Sequence, residues 1–180
     1  PGLLANLLAN LAITLQMCHK YSQALDCLQE ALTLLENPAN PLQRINALNA
    51  LGSFYFSQAQ YIEAEKSFLD MDASFLRQSG HLAGLGYRAN NLGNVYLQMG
   101  RLSEAEICLQ EAAHYLELLK DEISLANTLG DLAETLTKQK REDEALPLLD
   151  EALRLLERYP QNAWAQDCYA RLVAQKAAWG

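Results

Sequence analysis

Four segments of the chain superimpose at spacings of 40, 41 and 40 residues, and few folds are open to a chain built this way. The copies are anchored on alanine, in Tyr21-Ser-Gln-Ala24, Tyr61-Ile-Glu-Ala64, Leu102-Ser-Glu-Ala105 and Glu142-Asp-Glu-Ala145. Four residues after each anchor stands a large apolar side chain, Leu28, Phe68, Leu109 or Leu149, and seven after stands Ala31, Met71, Ala112 or Ala152. Thirteen before each anchor is Leu11, Leu51, Leu92 or Leu132, followed directly by a small residue, Ala12, Gly52, Gly93 or Ala133. Nine before it is Leu15, Tyr55, Tyr96 or Leu136.

Within a copy the pattern is that of two amphipathic helices joined by a tight turn. Leu8, Leu11 and Leu15 recur at i, i+3 and i+7, and Leu48, Leu51 and Tyr55 repeat the stripe. The small residue beside each leucine predicts a notch on the first helix, and the anchoring alanine a matching notch on the second. Gly100 falls in the turn of the third copy, where a helix end favours the left-handed conformation. Breaks between copies are marked by Asn37-Pro-Ala-Asn-Pro41, Ser79-Gly-His-Leu-Ala-Gly84 and Tyr159-Pro-Gln-Asn162, whereas Lys120-Asp-Glu has neither Gly nor Pro. Pro147, early in the fourth second helix, predicts a slight bend or a late start there.

These residues resemble the tetratricopeptide repeat, and Asn91-Leu92-Gly93-Asn94-Val95-Tyr96 with Gly100-Arg-Leu102-Ser-Glu-Ala105 is the closest match to its consensus. The period of about 40 rather than 34 residues resembles the arrays of kinesin light chains and of bacterial maltose-activator-like signalling ATPases. The fold so implied is an all-α solenoid of four helical hairpins plus a C-terminal capping helix, nine helices in all. We expect one domain over residues 1–180, with copies at about 3–40, 41–81, 82–121 and 122–161 and the cap at 162–180. Projecting a fifth anchor to about residue 185 puts Tyr169, Leu172, Val173 and Gly180 in first-helix columns, while Lys176 in an otherwise apolar column suits a cap. That projection and the Pro1-Gly2 start lead to the expectation of a fragment of a larger protein.

Charge and chemistry narrow the function. The chain has 14 Lys and Arg against 22 Asp and Glu, a net charge of −8, which disfavours direct binding of nucleic acid or an anionic membrane. Cys18, Cys27, Cys108 and Cys168 lack paired spacing, and His19, His81 and His114 are scattered, so neither a metal nor another cofactor is expected. The cysteines read as small apolar side chains in a reducing compartment, and a cytoplasmic location is expected. No phosphate loop, nucleophile elbow or zinc helix is present, so an enzyme is not expected.

Asparagine points to a binding face. Eight of the eleven lie in first helices, where this residue is locally unfavourable, and none in a second helix. The resemblance implies that first helices line a concave groove, so neutral amides there can donate to and accept from a peptide backbone. The expected peptide-binding groove runs over copies two to four through Asn46, Asn49, Tyr87, Asn90, Asn94 and Asn127. Asp131 and Glu134, read as solvated groove charges, would favour a basic side chain near one end. The lysines of the carboxylate clamp used by chaperone-tail-binding members are absent, and Arg171 stands alone. A protein–protein interaction module binding a peptide or partner segment is therefore the first reading. The alternative is the sensory or regulatory arm of a bacterial signalling ATPase or transcription activator, binding a small ligand or inhibitor protein. An adjoining nucleotide-binding or helix-turn-helix domain would separate the two.

Overall fold

The anchoring alanines Ala24, Ala64, Ala105 and Ala145 are all fully buried, so each second helix meets its partner at the column the repeat defined. The computed structural model describes residues 2–35 and 41–178. Among them are ten α-helices and no strand: α1 (Gly2–Met17), α2 (Tyr21–Leu34), α3 (Pro41–Ser57), α4 (Tyr61–Leu69), α5 (Ala73–Gln78), α6 (Leu82–Gln98), α7 (Leu102–Leu119), α8 (Glu122–Lys138), α9 (Glu142–Leu156) and α10 (Ala163–Ala177). The architecture is all-α, of the helical-hairpin solenoid class. Contacts divide the chain into two compact units, one ending at Gly84 and the other starting at Leu85.

In the first unit α1 pairs with α2 and α3 with α4, and α3 also packs on α1 and α2. The expected notch is present at Gly52, where a Cβ would stand 2.5 Å from the Phe68 ring. One departure from nine helices lies here. The second helix of this pair stops at Leu69 and restarts as α5, because the Asp72 carboxylate accepts from the Phe75 amide and caps a new start. Leu4, Leu7 and Leu11 on α1 are exposed, whereas Leu51, Leu92 and Leu132, in the column of Leu11, are buried.

In the second unit α7 packs on α8, α8 on α9, and α10 on both α9 and α8. Gly93 on α6 receives Leu109 of α7, with a Cβ there falling 2.6 Å from Leu109 Cγ. Gly130 makes a further notch on α8, which the sequence reading had not singled out, and it receives the fully buried Leu172 of α10. The start of α9 is not delayed: it begins at Glu142 and Pro147 lies inside it, in a turn whose neighbours Ala145 and Leu149 are fully buried and hold the helix in place.

The turn inside each hairpin is the same in all four copies. His19, Ala59, Gly100 and Lys140 have φ of 59°, 55°, 74° and 62°. The next residue's amide reaches back to Leu15, Tyr55, Tyr96 or Leu136 at 2.8–2.9 Å, a Schellman closure. The break without Gly or Pro is closed likewise: Lys120 has φ 57°, and the Asp121 carboxylate caps α8 through the Ser124 amide at 3.1 Å. A left-handed residue with a Cβ costs about 1–2 kcal/mol, part of which glycine returns through unfolded-chain entropy. Ala59→Gly is therefore expected to stabilise the protein by about 0.5–1 kcal/mol, to be read as a higher urea midpoint at unchanged slope.

Candidate functional site

The polar side chains of the first helices form a ladder in the second unit. Its centre is Asp131 on α8, only 6% exposed. Arg171 of α10 places a guanidinium nitrogen 3.0 Å from Asp131 Oδ1. The Asn127 amide donates to Asp131 Oδ2 at 3.2 Å, and Asn94 of α6 also hydrogen-bonds the carboxylate. A second guanidinium nitrogen of Arg171 donates to Asn127 Oδ1 at 2.9 Å, and the Cys168 thiol lies 3.6 Å from the same oxygen. On the α6 side, the Thr128 hydroxyl stands 2.8 Å from Asn90 Oδ1 and 2.9 Å from the Ser124 carbonyl. Asn94 Nδ2 donates to the Asn90 carbonyl at 3.2 Å. Burial pushes the Asp131 carboxyl above the usual carboxylate value, against the opposing pull of Arg171 and Asn94.

Two expectations are corrected by this arrangement. Asp131 is a buried, paired carboxylate rather than a solvated groove charge, because α10 lays Arg171 across it. Arg171, expected to stand alone, holds two ladder residues at once. Glu134 pairs with Lys138 one turn on, at 2.9 Å, so the two acids expected to hold a ligand's basic group are each met by a basic group of the chain itself.

The structure brings Asn90, Asn94, Asn127 and Asp131 together, and it leaves Tyr87 exposed at one side of α6. The Tyr87 hydroxyl is 3.4 Å from Asp121, and burial together with that carboxylate raises its pKa. Asn46, exposed, and Asn49, half-buried, lie on α3 in the first unit. Thr128 and Arg171 were missed as site residues. A signal for Arg171 existed: it lies one period of 40 after Asp131 in the same column, so opposite charges stand in successive rows.

Among the described residues no cluster of three His, Cys, Asp or Glu side chains could hold a metal ion. No described helix is long and apolar enough to cross a membrane. The four cysteines are free thiols. Burial, with Glu111 nearby, pushes Cys108 up to about 11, as suits a packing residue. Cys168 is buried, Cys27 and Cys108 are half-buried, and Cys18 is exposed.

Two tetratricopeptide-repeat family models match the sequence, over residues 4–37 and 87–158. No curated protein matches it. Among solved structures, apo RapI aligns with a TM-score of 0.80 at 15% identity, over 93% of this chain and 46% of RapI. BtubC (BKLC) from P. vanneervenii aligns with a TM-score of 0.78 at 20% identity, over 89% of this chain and 66% of BtubC. A Podosopora anserina putative kinesin light chain with nearly identical TPR-like repeats aligns with a TM-score of 0.71 at 15% identity, over 96% and 87%. The chain thus spans about half the length of RapI, and identities this low speak for the fold alone.

Proposed function

We propose, from the premise that this chain belongs to the tetratricopeptide-repeat family, that it is an interaction module whose first-helix faces hold an extended segment of a partner protein. The family generally mediates protein–protein interactions and is generally non-enzymatic. The observation that carries the reading is the ladder, which holds neutral amides in fixed orientations on one face before any ligand arrives, and pre-ordering of this kind lowers the entropy lost on binding. Asn94 and Asn127 each keep donor or acceptor capacity beyond the bonds above. Tyr87 adds an exposed aromatic face beside them, and Asn46 and Asn49 offer the same chemistry on α3.

A bound segment meets amides and an aromatic ring here, and both acids are already neutralised by Arg171 and Lys138. The segment is accordingly one recognised by backbone and apolar side chains rather than by a basic anchor. The test is calorimetry with a partner recovered by pull-down on the 180-residue chain. Asn46→Ala and Tyr87→Ala change exposed side chains, so each is expected to leave the melting temperature nearly unchanged. Each is expected to weaken binding by about 1–3 kcal/mol. Asp143→Lys, on a second helix, is expected to leave affinity within about twofold, since exposed single charges contribute little. Loss of binding with Asp143→Lys but not with Asn46→Ala and Tyr87→Ala would remove the first-helix faces from consideration.

A further inference from the structure

The ladder keeps some of its hydrogen-bonding atoms for itself and offers others. In its ionised form the Asp131 carboxylate has lone pairs only, so every neighbour that bonds it turns a donor towards it. Three do: Arg171 from α10 at 3.0 Å, the Asn127 amide nitrogen at 3.2 Å, and the Asn94 amide from α6. Asn94 Nδ2 also donates to the Asn90 carbonyl at 3.2 Å. Both of its hydrogens are thereby committed, and Asn94 Oδ1 has no bond among the described residues. That oxygen reaches solvent, since Gln43 Oε1 is the one buried side-chain N or O atom without a partner among the described residues. Asn94 therefore faces outward as an acceptor only.

Asn127 is pinned in the opposite sense. Its Oδ1 accepts from Arg171 at 2.9 Å and from the Cys168 thiol at 3.6 Å, and one hydrogen of its Nδ2 goes to Asp131. A guanidinium only donates and a carboxylate only accepts, so turning this amide over would set like against like at both ends. What Asn127 has left is the second Nδ2 hydrogen, a donor. An unheld asparagine is not restricted in this way. Asn46 on α3 is exposed and has no hydrogen-bond partner among the described residues, so its amide can rotate half a turn and serve either polarity. Asp131 makes the difference. At 6% exposure it is itself out of a ligand's reach, yet it sets which edge of each neighbouring amide faces outward.

We propose that Asp131 is a positioning residue of the binding face: it fixes Asn94 as an acceptor and Asn127 as a donor, so that a bound segment must present an N–H over Asn94, where proline or a carboxylate is rejected. This rests on the reading of the first-helix faces above and names the chemistry that one part of them selects. The probes are two peptide-bond mimics, N-methylacetamide, with one N–H and one carbonyl, and N,N-dimethylacetamide, with the carbonyl alone. Each is titrated into the 180-residue chain and followed through the side-chain amide NMR signals of Asn46, Asn94 and Asn127. The Asn94 signal is expected to move about threefold or more further with N-methylacetamide, as one lost hydrogen bond implies. The Asn127 and Asn46 signals are expected to move similarly with both. In Asp131→Asn, where residue 131 can donate as well as accept, the Asn94 preference is expected to disappear. A second measurement on the parent protein decides the matter even if Asp131→Asn disturbs folding. Both Asn94 amide protons are expected to exchange with water severalfold more slowly than those of Asn46, against only one of the two at Asn127. Equal response of Asn94 to the two probes, persistence of its preference in Asp131→Asn, or an Asn94 proton that exchanges as fast as those of Asn46 overturns the proposal. If Asn46, Asn94 and Asn127 all move no further than Gln23 on the second helix α2, the first-helix reading falls with it.

Discussion

Arg171→Met is expected to destabilise the second unit by about 3 kcal/mol at neutral pH, because it strands a carboxylate that α8 has already taken out of water. Removing one partner of a buried pair costs about 3–5 kcal/mol. The lower end applies here because Arg171 is itself 41% exposed while Asp131 is 6% exposed. The pH dependence distinguishes this cause from lost packing. Asp131 already has a folded-state pKa above its ordinary value, and removing the guanidinium raises it further. A carboxyl raised on folding stabilises the native state when protonated, and that contribution is lost as pH rises through the folded value. The deficit of Arg171→Met against the parent protein is therefore expected to shrink as pH falls from 7 towards 4. Asp131→Asn keeps a hydrogen-bonding group of the same shape and leaves Arg171 partly solvated, so its cost is expected to be smaller. The double variant should lie closer to the parent than Arg171→Met alone. Urea unfolding at pH 7 and pH 4.5 checks all three, and a deficit that does not change with pH would show that Arg171 acts through packing.

Phe68→Ala is expected to cost about 3–5 kcal/mol in the first unit, the range for emptying a fully buried aromatic site. Phe68 is 1% exposed and fills the notch at Gly52. From the other side of the same contact, Gly52→Ala is expected to cost about 1–3 kcal/mol by overpacking. That is the opposite of its effect in an exposed helix, where alanine is favoured by about 1 kcal/mol. The two changes touch the same atoms, so a smaller side chain at 68 should relieve the crowding at 52. Gly52→Ala combined with Phe68→Leu is expected to be more stable than the sum of the single effects. Thermal or urea unfolding of the four proteins tests the notch directly, and strict additivity would deny that residues 52 and 68 share a contact.

Much of this fold was legible because the repeat is a packing rule written four times. The anchoring alanines, the leucines beside small residues from the second copy on (Leu51, Leu92 and Leu132) and the turn at Gly100 fell where their columns placed them, whereas Leu11 is exposed. The restart at Ala73 was less visible, since Asp72 becomes a cap only through the Phe75 amide and resembles any other surface acid in the sequence. The left-handed turns at His19, Ala59 and Lys140 were hidden by their side chains, because the hairpin geometry imposes a conformation that composition does not advertise. At the binding face the residue types were correctly gathered but their partners were not. Helical phase puts Asn90, Asn94, Asn127 and Asp131 on one side of their helices; only the packing of α10 shows that Arg171 is laid over Asp131. Neutralisation of that kind is a long-range pairing, and the opposite charges of Asp131 and Arg171 in successive rows of one column were its one trace.

The exposed leucines of α1 give the array a direction. Leu7 and Leu11 are exposed on α1 in the columns where α3 has Ala47 and Leu51, which are buried against the preceding hairpin, so α1 presents the face on which a hairpin ahead of it would pack. At α10 the same addition meets Val173 where a small side chain is needed and Lys176 where an apolar one is. In the vocabulary of polymer growth, the two ends differ in how readily they receive a unit of the same kind, and lengthening or grafting this scaffold is a question of matching the columns at the chosen end.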